Sequence, residues 1–268
     1  MVQLSIQNCI EDVLSWMTSK KLKLNTDKTE VLLVASHNVD VNTFRQLTFC
    51  DVQVPYVSVA RCLGIFIDKQ LTFDHHIKTM SKSSFLFIRA IYRIRKYLSE
   101  RCSTILVSAY VSSRLDYCNS ILNACTSRRL NRLQRIINVC ARLVKRLPRR
   151  SPTSETLLQL QWLPVKQRVA FKLACLVHKC VHGAAPLYLS ELLSPAASSD
   201  IGICLRSQSA LRLYEPPYRL RSFRGAFVYC APRIWNSLSA ECRRLSNFRQ
   251  FRRRLKLELF TSMKDRLP

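Results

Sequence analysis

Phosphoryl transfer by the two-metal route needs carboxylates that converge on a pair of ions about 4 Å apart. The sequence offers no Asp-Asp. Glu11 and Asp12 are adjacent, but neighbours on a helix diverge by about 100° and do not face a common point. G-x-S-x-G, H-E-x-x-H and G-x-x-x-x-G-K-[ST] are all missing, and only 4 glycines are present. An autonomous enzyme of a common class is therefore disfavoured. Cys175, His178, Cys180 and His182 form a possible metal set. On a helix Cys175, His178 and His182 share a face while Cys180 points elsewhere, and a structural zinc wants four converging ligands. Ordinary helix packing is the expectation there, and no metal site is expected.

The positive signal is cationic. Lys82, Arg89, Arg93 and Lys96 follow one another at offsets of 7, 4 and 3. Arg128, Arg132, Arg135, Arg142 and Arg146 form a second stripe. Arginines at helical spacing can bridge successive phosphates while the opposite face stays in a core. Tyr92 and Tyr97, or Tyr218 and Phe223, lie among the charges and could stack on bases, although core packing is the plainer use of any one aromatic. The whole chain carries 43 Lys plus Arg against 17 Asp plus Glu, a formal +26. Residues 1–78 hold 8 basic and 8 acidic side chains, and residues 79–268 hold 35 and 9. A field of that sign points to a polyanion, either nucleic acid or an acidic membrane surface; a solvated basic surface is the bland alternative.

Helices must position these stripes. Ile6, Ile10, Val13 and Met17 recur at i, i+4, i+7 and i+11, which predicts a helix over 4–20. The run Thr29 to Ala35 reads as a buried strand, followed by short strands at 47–50, 52–57 and 62–67, with Pro55 and Gly64 as breakers. From about 73 the pattern turns helical. In 77–98, Ile77, Met80, Phe87, Ile88, Ile91, Ile94 and Leu98 fall opposite the first stripe. A helix over 101–115 follows. In 128–147, Leu130, Leu133, Ile137, Cys140, Val144 and Leu147 are spaced 3, 4, 3, 4 and 3, a seam for neighbouring helices. Further helices are predicted near 154–160, over 164–182 (stopped by Gly183 and Pro186) and over 247–261, with Ser- and Pro-rich loop between 193 and 225. In the last helix Phe248, Phe251, Leu255 and Leu259 face inward and Arg249, Arg252, Arg253 and Lys256 outward. A helix, then short strands, then helices makes an α+β chain.

A length of 268 residues buries a real core. A hydrophobic fraction of 48% argues against a mainly disordered chain. The 12 cysteines, at 9, 50, 62, 102, 118, 125, 140, 175, 180, 204, 230 and 242, include no C-x-x-C pair. They read as thiols of a reducing compartment, nucleus or cytoplasm. No apolar run reaches the ~18 residues of a membrane span. The first twenty residues contain Glu11 and Asp12 and lack a basic start, so no secretory signal and no membrane association are expected.

Several segments together resemble a known family. Cys9-Ile10, Val13, Trp16-Met17, Leu22-Lys23-Leu24-Asn25 and Lys28-Thr29-Glu30 look like the stretch after the active-site strand in reverse transcriptases of LINE-type (non-long-terminal-repeat) retrotransposons, nearest in flavour to jockey-like and chicken-repeat-like elements. Leu63-Gly64-Ile65, Ile67-Asp68, Leu71, Phe73 and His76-Ile77 resemble their primer-grip hairpin leading into the thumb. Leu115-Asp116-Tyr117-Cys118-Asn119 resembles the thumb's tyrosine-centred motif. Trp162-Leu163-Pro164 with Arg168, His178 to His182 with Gly183, Pro186 and Tyr188, and Ala231-Pro232-Arg233 with Trp235-Asn236-Ser237-Leu238 resemble the family's tail. The likeness runs over roughly 6–260 with its motifs in order.

The resemblance implies an incomplete reverse-transcriptase palm remnant over 1–72 with a primer-grip-like hairpin, a basic helical thumb over 73–150 and a basic C-terminal region over 151–268. It implies an activity, RNA-directed DNA synthesis with Mg²⁺, whose aromatic-Ala-Asp-Asp motif lies upstream of the helix that begins near Leu4, so no catalytic residue carries over. The chain is expected to be a truncated piece, missing the N-terminal polymerase half, inactive alone and binding no cofactor. It should keep affinity for RNA or an RNA–DNA duplex. Leu63, Gly64 and Ile65 would belong to the primer grip, and Lys28 would lie near the incoming nucleotide in an intact enzyme. A host-adopted nucleic-acid-binding protein and a pseudogene product without a role are the other expectations.

Overall fold

A computed structural model describes residues 2–25, 28–34, 47–49, 52–196, 211–217 and 225–264. The chain divides into two compact units, Met1–His76 and Ile77–Pro268. It is mostly helical, with its short strands in the first unit, an α+β arrangement.

In the first unit α1 (Val2–Ser19) precedes β1 (Val31–Leu32), β2 (Leu47–Phe49), β3 (Val52–Val54), β4 (Tyr56–Val57), β5 (Val59–Cys62) and β6 (Ile65–Asp68). β1 pairs with β4 in parallel, while β2–β3 and β5–β6 are antiparallel hairpins. Among the described side chains the core here is thin: Val54 is buried, with Ile10 and Val31 packed on it. The helix over 4–20 forms as its period predicts, but Ile6 is 39% and Val13 46% exposed. Ile10 packs on Val54 and Met17 is half-buried, while Ile6 and Val13 stay open.

The loops of this unit account for residues quoted above. The Asn25 side-chain oxygen and carbonyl both accept from the Lys28 N–H, at 3.2 Å each, and the Thr29 hydroxyl donates to the Asn25 carbonyl at 2.8 Å. Asn25 thus shapes the turn into β1. Leu63 and Gly64 join β5 to β6 with φ of 47° and 84°. Two successive left-handed residues make the hairpin turn whose twist matches its strands. Gly64 is therefore the turn itself, where the sequence pattern made it a breaker. Buried Asp68 accepts from the Thr72 N–H at 2.8 Å and from the Thr72 hydroxyl at 3.1 Å, which fixes the bend into the next helix.

In the second unit the chain runs through α2 (Asp74–Ile94), a 3₁₀ turn over Arg95–Tyr97, and α3 (Glu100–Val107). A π turn over Ser108–Ser112 leads to α4 (Ser113–Asp116), and a 3₁₀ segment over Asn119–Ala124 leads to α5 (Ser127–Lys145). Then come α6 (Ser154–Gln159), α7 (Val165–Val181), α8 (Leu187–Ser190), α9 (Phe227–Asn236), α10 (Ala240–Arg243) and α11 (Phe248–Lys264). The helix expected over 101–115 is thus interrupted by a π turn.

Two cores form in this unit. The first gathers Ile77, Met80, Ile88, Ile91, Val107, Leu133, Ile137, Cys140, Val144, Trp162, Val169, Leu173 and Cys230. Segments 73–150 and 151–268 therefore contribute to a common core. The second gathers Ala174, Val177, Trp235, Cys242, Phe251 and Leu255. The seam of α5 packs as its spacing predicts, except that Leu147 lies past the helix end and is exposed. Ile94, expected inside, is 46% exposed, because α2 gives way to a 3₁₀ turn there and Arg95 takes the inward position.

Among the described residues of the expected loop 193–225, a short strand-like piece is anchored. Leu213 bridges Pro195, and the Asn236 side-chain oxygen accepts from the Leu213 N–H at 3.0 Å while its amide nitrogen donates to the Leu213 carbonyl at 2.8 Å. The Trp235 indole N–H donates to the Leu211 carbonyl at 2.7 Å. α9, with Pro232 inside it, had no counterpart in the sequence pattern. It starts beside Gly225, where a Cβ would come within 2.4 Å of Ala124 Cα, so only glycine allows that approach.

Candidate nucleic-acid interface

α5 exists because its apolar residues form one wide stripe, and that stripe fixes where the arginines go. At 3.6 residues per turn Arg128, Arg132, Arg135, Arg142 and Arg146 fall within an arc of about 80°. Arg128, Arg132 and Arg135 are exposed while Leu133, Ile136, Ile137 and Cys140 on the other side are buried. On α2, Lys82, Arg89 and Arg93 are exposed in the same way, with Lys96 exposed in the 3₁₀ turn beyond. Phe85, Leu86, Tyr92 and Tyr97 stand exposed beside them, Tyr92 at 72% and Tyr97 at 76%. The Lys96 ammonium lies 4.7 Å from the centre of the Tyr97 ring. Among the described residues, ion pairs join Lys145 to Glu100, Arg168 to Asp116, and Arg254 to Glu241 and Glu258. Tyr218 and Phe223 lie outside the described residues.

The ends of the two stripes meet. Helices end in carbonyls without intrahelical partners. Buried Arg95 reaches those of α5: its Nε donates to the Leu143 carbonyl at 2.7 Å and one terminal nitrogen to the Val144 carbonyl at 2.6 Å. The other terminal nitrogen donates to the Leu98 carbonyl at 2.7 Å. Arg146 returns the contact, donating from one nitrogen to the carbonyls of Leu98 at 3.2 Å and of Arg95 and Lys96 at 3.4 Å. Burial and the Arg146 charge both lower the Arg95 pKa, and Glu100 opposes them. Arg142 also has a structural bond, from Nε to the Ser151 carbonyl at 2.9 Å. The second stripe therefore divides: Arg128, Arg132 and Arg135 line an open ridge, while Arg142 and Arg146 tie the helix end.

Several residues quoted for the family likeness turn out to be architectural. Asp116 and Arg168, fifty-two positions apart, pair at 2.8 Å, and Arg168 also donates to the Leu163 carbonyl. Tyr117 is 52% exposed next to Cys118, which adopts a left-handed φ of 48°. His178 is buried against Trp235, Phe248 and Phe251, with Nε2 at 2.8 Å from the Leu245 carbonyl. Its pKa is lowered by burial, with the His182 charge adding to that and the Leu245 carbonyl opposing it. His182 stacks beside it at 4.2 Å, but no three His, Cys, Asp or Glu converge as a metal set among the described residues. Cys175 and Cys180 are buried free thiols, and burial pushes the Cys175 thiol up to about 11.

Lys28 is exposed in the turn before β1. Leu63, 84% exposed, caps the β5–β6 hairpin with Gly64, and Ile65 opens β6 half-buried. No helix of the described residues is long and apolar enough to cross a membrane.

No family model matches the chain, and neither the curated proteins nor the solved structures yield a match. The geometry therefore has to bear the functional reading. Sequence reasoning missed Arg95, although it stands seven residues after Ile88 and four after Ile91, on the apolar face of that helix and away from the Lys82 stripe. The signal available was that register, together with its place at the end of α2, where cations meet open carbonyls.

Proposed function

We propose that the chain corresponds to the late palm, thumb and C-terminal region of a LINE-type reverse transcriptase, and that it holds RNA or an RNA–DNA duplex without copying it alone. The open ridge of Arg128, Arg132 and Arg135 on α5 carries this reading. Three guanidinium groups on successive turns, backed by a buried apolar face, track a phosphate backbone without reading bases. The α2 face adds Lys82, Arg89, Arg93 and Lys96, with Tyr92 and Tyr97 as stacking surfaces. The charge of the chain beyond residue 79 favours the same partner.

Catalysis would require Mg²⁺ held by paired carboxylates. The sequence supplies no such pair, and the described residues group no donor set, so no chemical step is assigned to these residues. Leu63, Gly64 and Ile65 would contact a primer end through the hairpin tip, and Lys28 would face a nucleotide only where the rest of a polymerase site is present.

The test is binding of the purified protein to an RNA–DNA duplex over a salt series, together with primer extension. Affinity should fall steeply and linearly in log–log form, alike for unrelated sequences, and no extended product should form. A clear product overturns the inactive assignment. Strong preference for one RNA points instead to a host-adopted binding role, and salt-independent binding removes the ridge from the site.

A further inference from the structure

The second unit contains a cavity of about 490 Å³ that the ridge does not use, lined by Leu158, Gln161, Arg253, Lys256, Leu257 and Phe260. That size lies within the roughly 300–1,000 Å³ of small-ligand sites. On α11, Arg253, Lys256, Leu257 and Phe260 sit at i, i+3, i+4 and i+7, so one helix face presents two cations and two apolar side chains together. Phe251 and Leu255, on another face, are fully buried and hold the helix to the core. The wall contains no carboxylate, and no ion pair among the described residues engages Arg253 or Lys256. Burial, with the Arg168 charge adding to it, lowers the Lys256 pKa. Its Nζ is 5.8 Å from the centre of the Phe260 ring.

The sixth lining residue is held at a conformational cost. After α6 the Trp162 N–H donates to the Leu157 carbonyl at 2.8 Å and the Gln161 N–H to the Leu158 carbonyl at 2.9 Å. This is a Schellman ending, which places Gln161 at a left-handed φ of 53° where glycine usually stands. The same pattern ends α7 with Gly183. At the end of α5 it uses Arg146, whose side chain is occupied by the three carbonyls described above. Gln161 at this turn is one of the residues lining the cavity.

We propose that this cavity binds a nucleotide, with the phosphate between Arg253 and Lys256, the base against Phe260 and Leu257, and the Gln161 amide at the base edge. A bare anion would leave the apolar walls idle, and a purely apolar ligand would leave two cations desolvated. An amide that both donates and accepts suits the edge of a base. The nucleotide is either free or the phosphorylated end of a strand.

Calorimetric titration of the full chain decides this, with AMP, adenosine and inorganic phosphate as probes. AMP should bind more tightly than either of the others. Lys256→Gln should weaken AMP about tenfold, the loss of one charge-assisted contact. Gln161→Gly should weaken it several-fold while keeping or raising the melting temperature, because glycine relieves the left-handed backbone. That variant guards against loss of fold as the explanation. A pair of oligonucleotides with and without a terminal phosphate separates the sources: a strand-end site favours the phosphorylated one, in a Lys256-dependent way, by a larger factor than AMP exceeds adenosine. Equal affinity for AMP and adenosine, phosphate binding as tightly as AMP, dodecanoate displacing AMP, or no Lys256-dependent binding of any nucleotide probe would each overturn the proposal. The ridge arginines lie outside the cavity, so AMP binding can fail while duplex binding persists, and the reverse.

Discussion

Along the ridge of α5, Arg128 and Arg135 stand in solvent over a face of buried Leu133, Ile136 and Ile137. Where the same helix ends against the end of α2, Arg95 and Arg146 turn onto carbonyl oxygens instead. Sequence spacing treats these regions alike, since both put a guanidinium every third or fourth residue. What separates them is the backbone beneath. In the middle of a helix every carbonyl is already bonded within the helix, so an exposed guanidinium turns to a neighbouring carboxylate, as Arg254 does, or to a group outside the protein. At the end the last carbonyls are open and carry partial negative charge, and a nearby arginine satisfies them. Arginines on the exposed ridge are therefore the candidates for an external polyanion, and those at the C-terminal end of the helix belong to the fold.

Replacing Arg128, Arg132 and Arg135 together with Gln should produce the largest effect. Three phosphate contacts contribute a slope of about 2.7 in log affinity against log salt on duplex. Affinity between 1 M and 0.1 M salt should then rise by about 2.7 decades less than in the unaltered protein. The thermal midpoint should barely move, because exposed substitutions stay within about 0.5 kcal/mol. A variant with unchanged slope and a lowered midpoint would make the ridge structural and erase the contrast.

Arg95→Met is the converse experiment. It keeps much of the side-chain volume and removes the donors to Leu143, Val144 and Leu98. Losing charge-assisted bonds to buried acceptors should lower stability by about 3 kcal/mol in urea unfolding. The duplex-binding slope should stay the same at temperatures where the variant is folded. A shallower slope with stability intact would place Arg95 on the nucleic acid.

The contrast also marks what the sequence could disclose. The α5 seam and the outward direction of Arg128 and Arg135 follow from periodicity alone, as do the inward Phe251 and Leu255 of α11. Residue pattern alone read the small hairpin around Gly64 as a broken strand, since Leu63-Gly64 does not have the Asn-Gly signature of its turn type, and only the family likeness implied a hairpin there. α9 was hidden because Pro232 argues against a helix. It is tolerated because a helix docked at Gly225 and pinned through Trp235 and Asn236 has tertiary contacts to offset one missing N–H. The partners of Arg95 and Gln161 were illegible for a common reason. Their roles come from a helix end meeting another element, and no local pattern records which element that is.

Arg146 lies on the border between the two regions, and so offers the finest cut. By helical angle it continues the ridge; by contact it closes the clasp. Its left-handed φ of 54° would suit glycine better, by about 1 kcal/mol. Its three carbonyl contacts, at 3.2 to 3.4 Å, are long and share one nitrogen, so together they offset a similar amount. Arg146→Gly should therefore leave the urea midpoint within about 0.5 kcal/mol of the original, the two changes cancelling. If Arg146 belongs to the clasp alone, the salt slope for duplex binding should not move. A slope shallower by about 0.9 would count it as one more phosphate contact and extend the ridge to the end of α5.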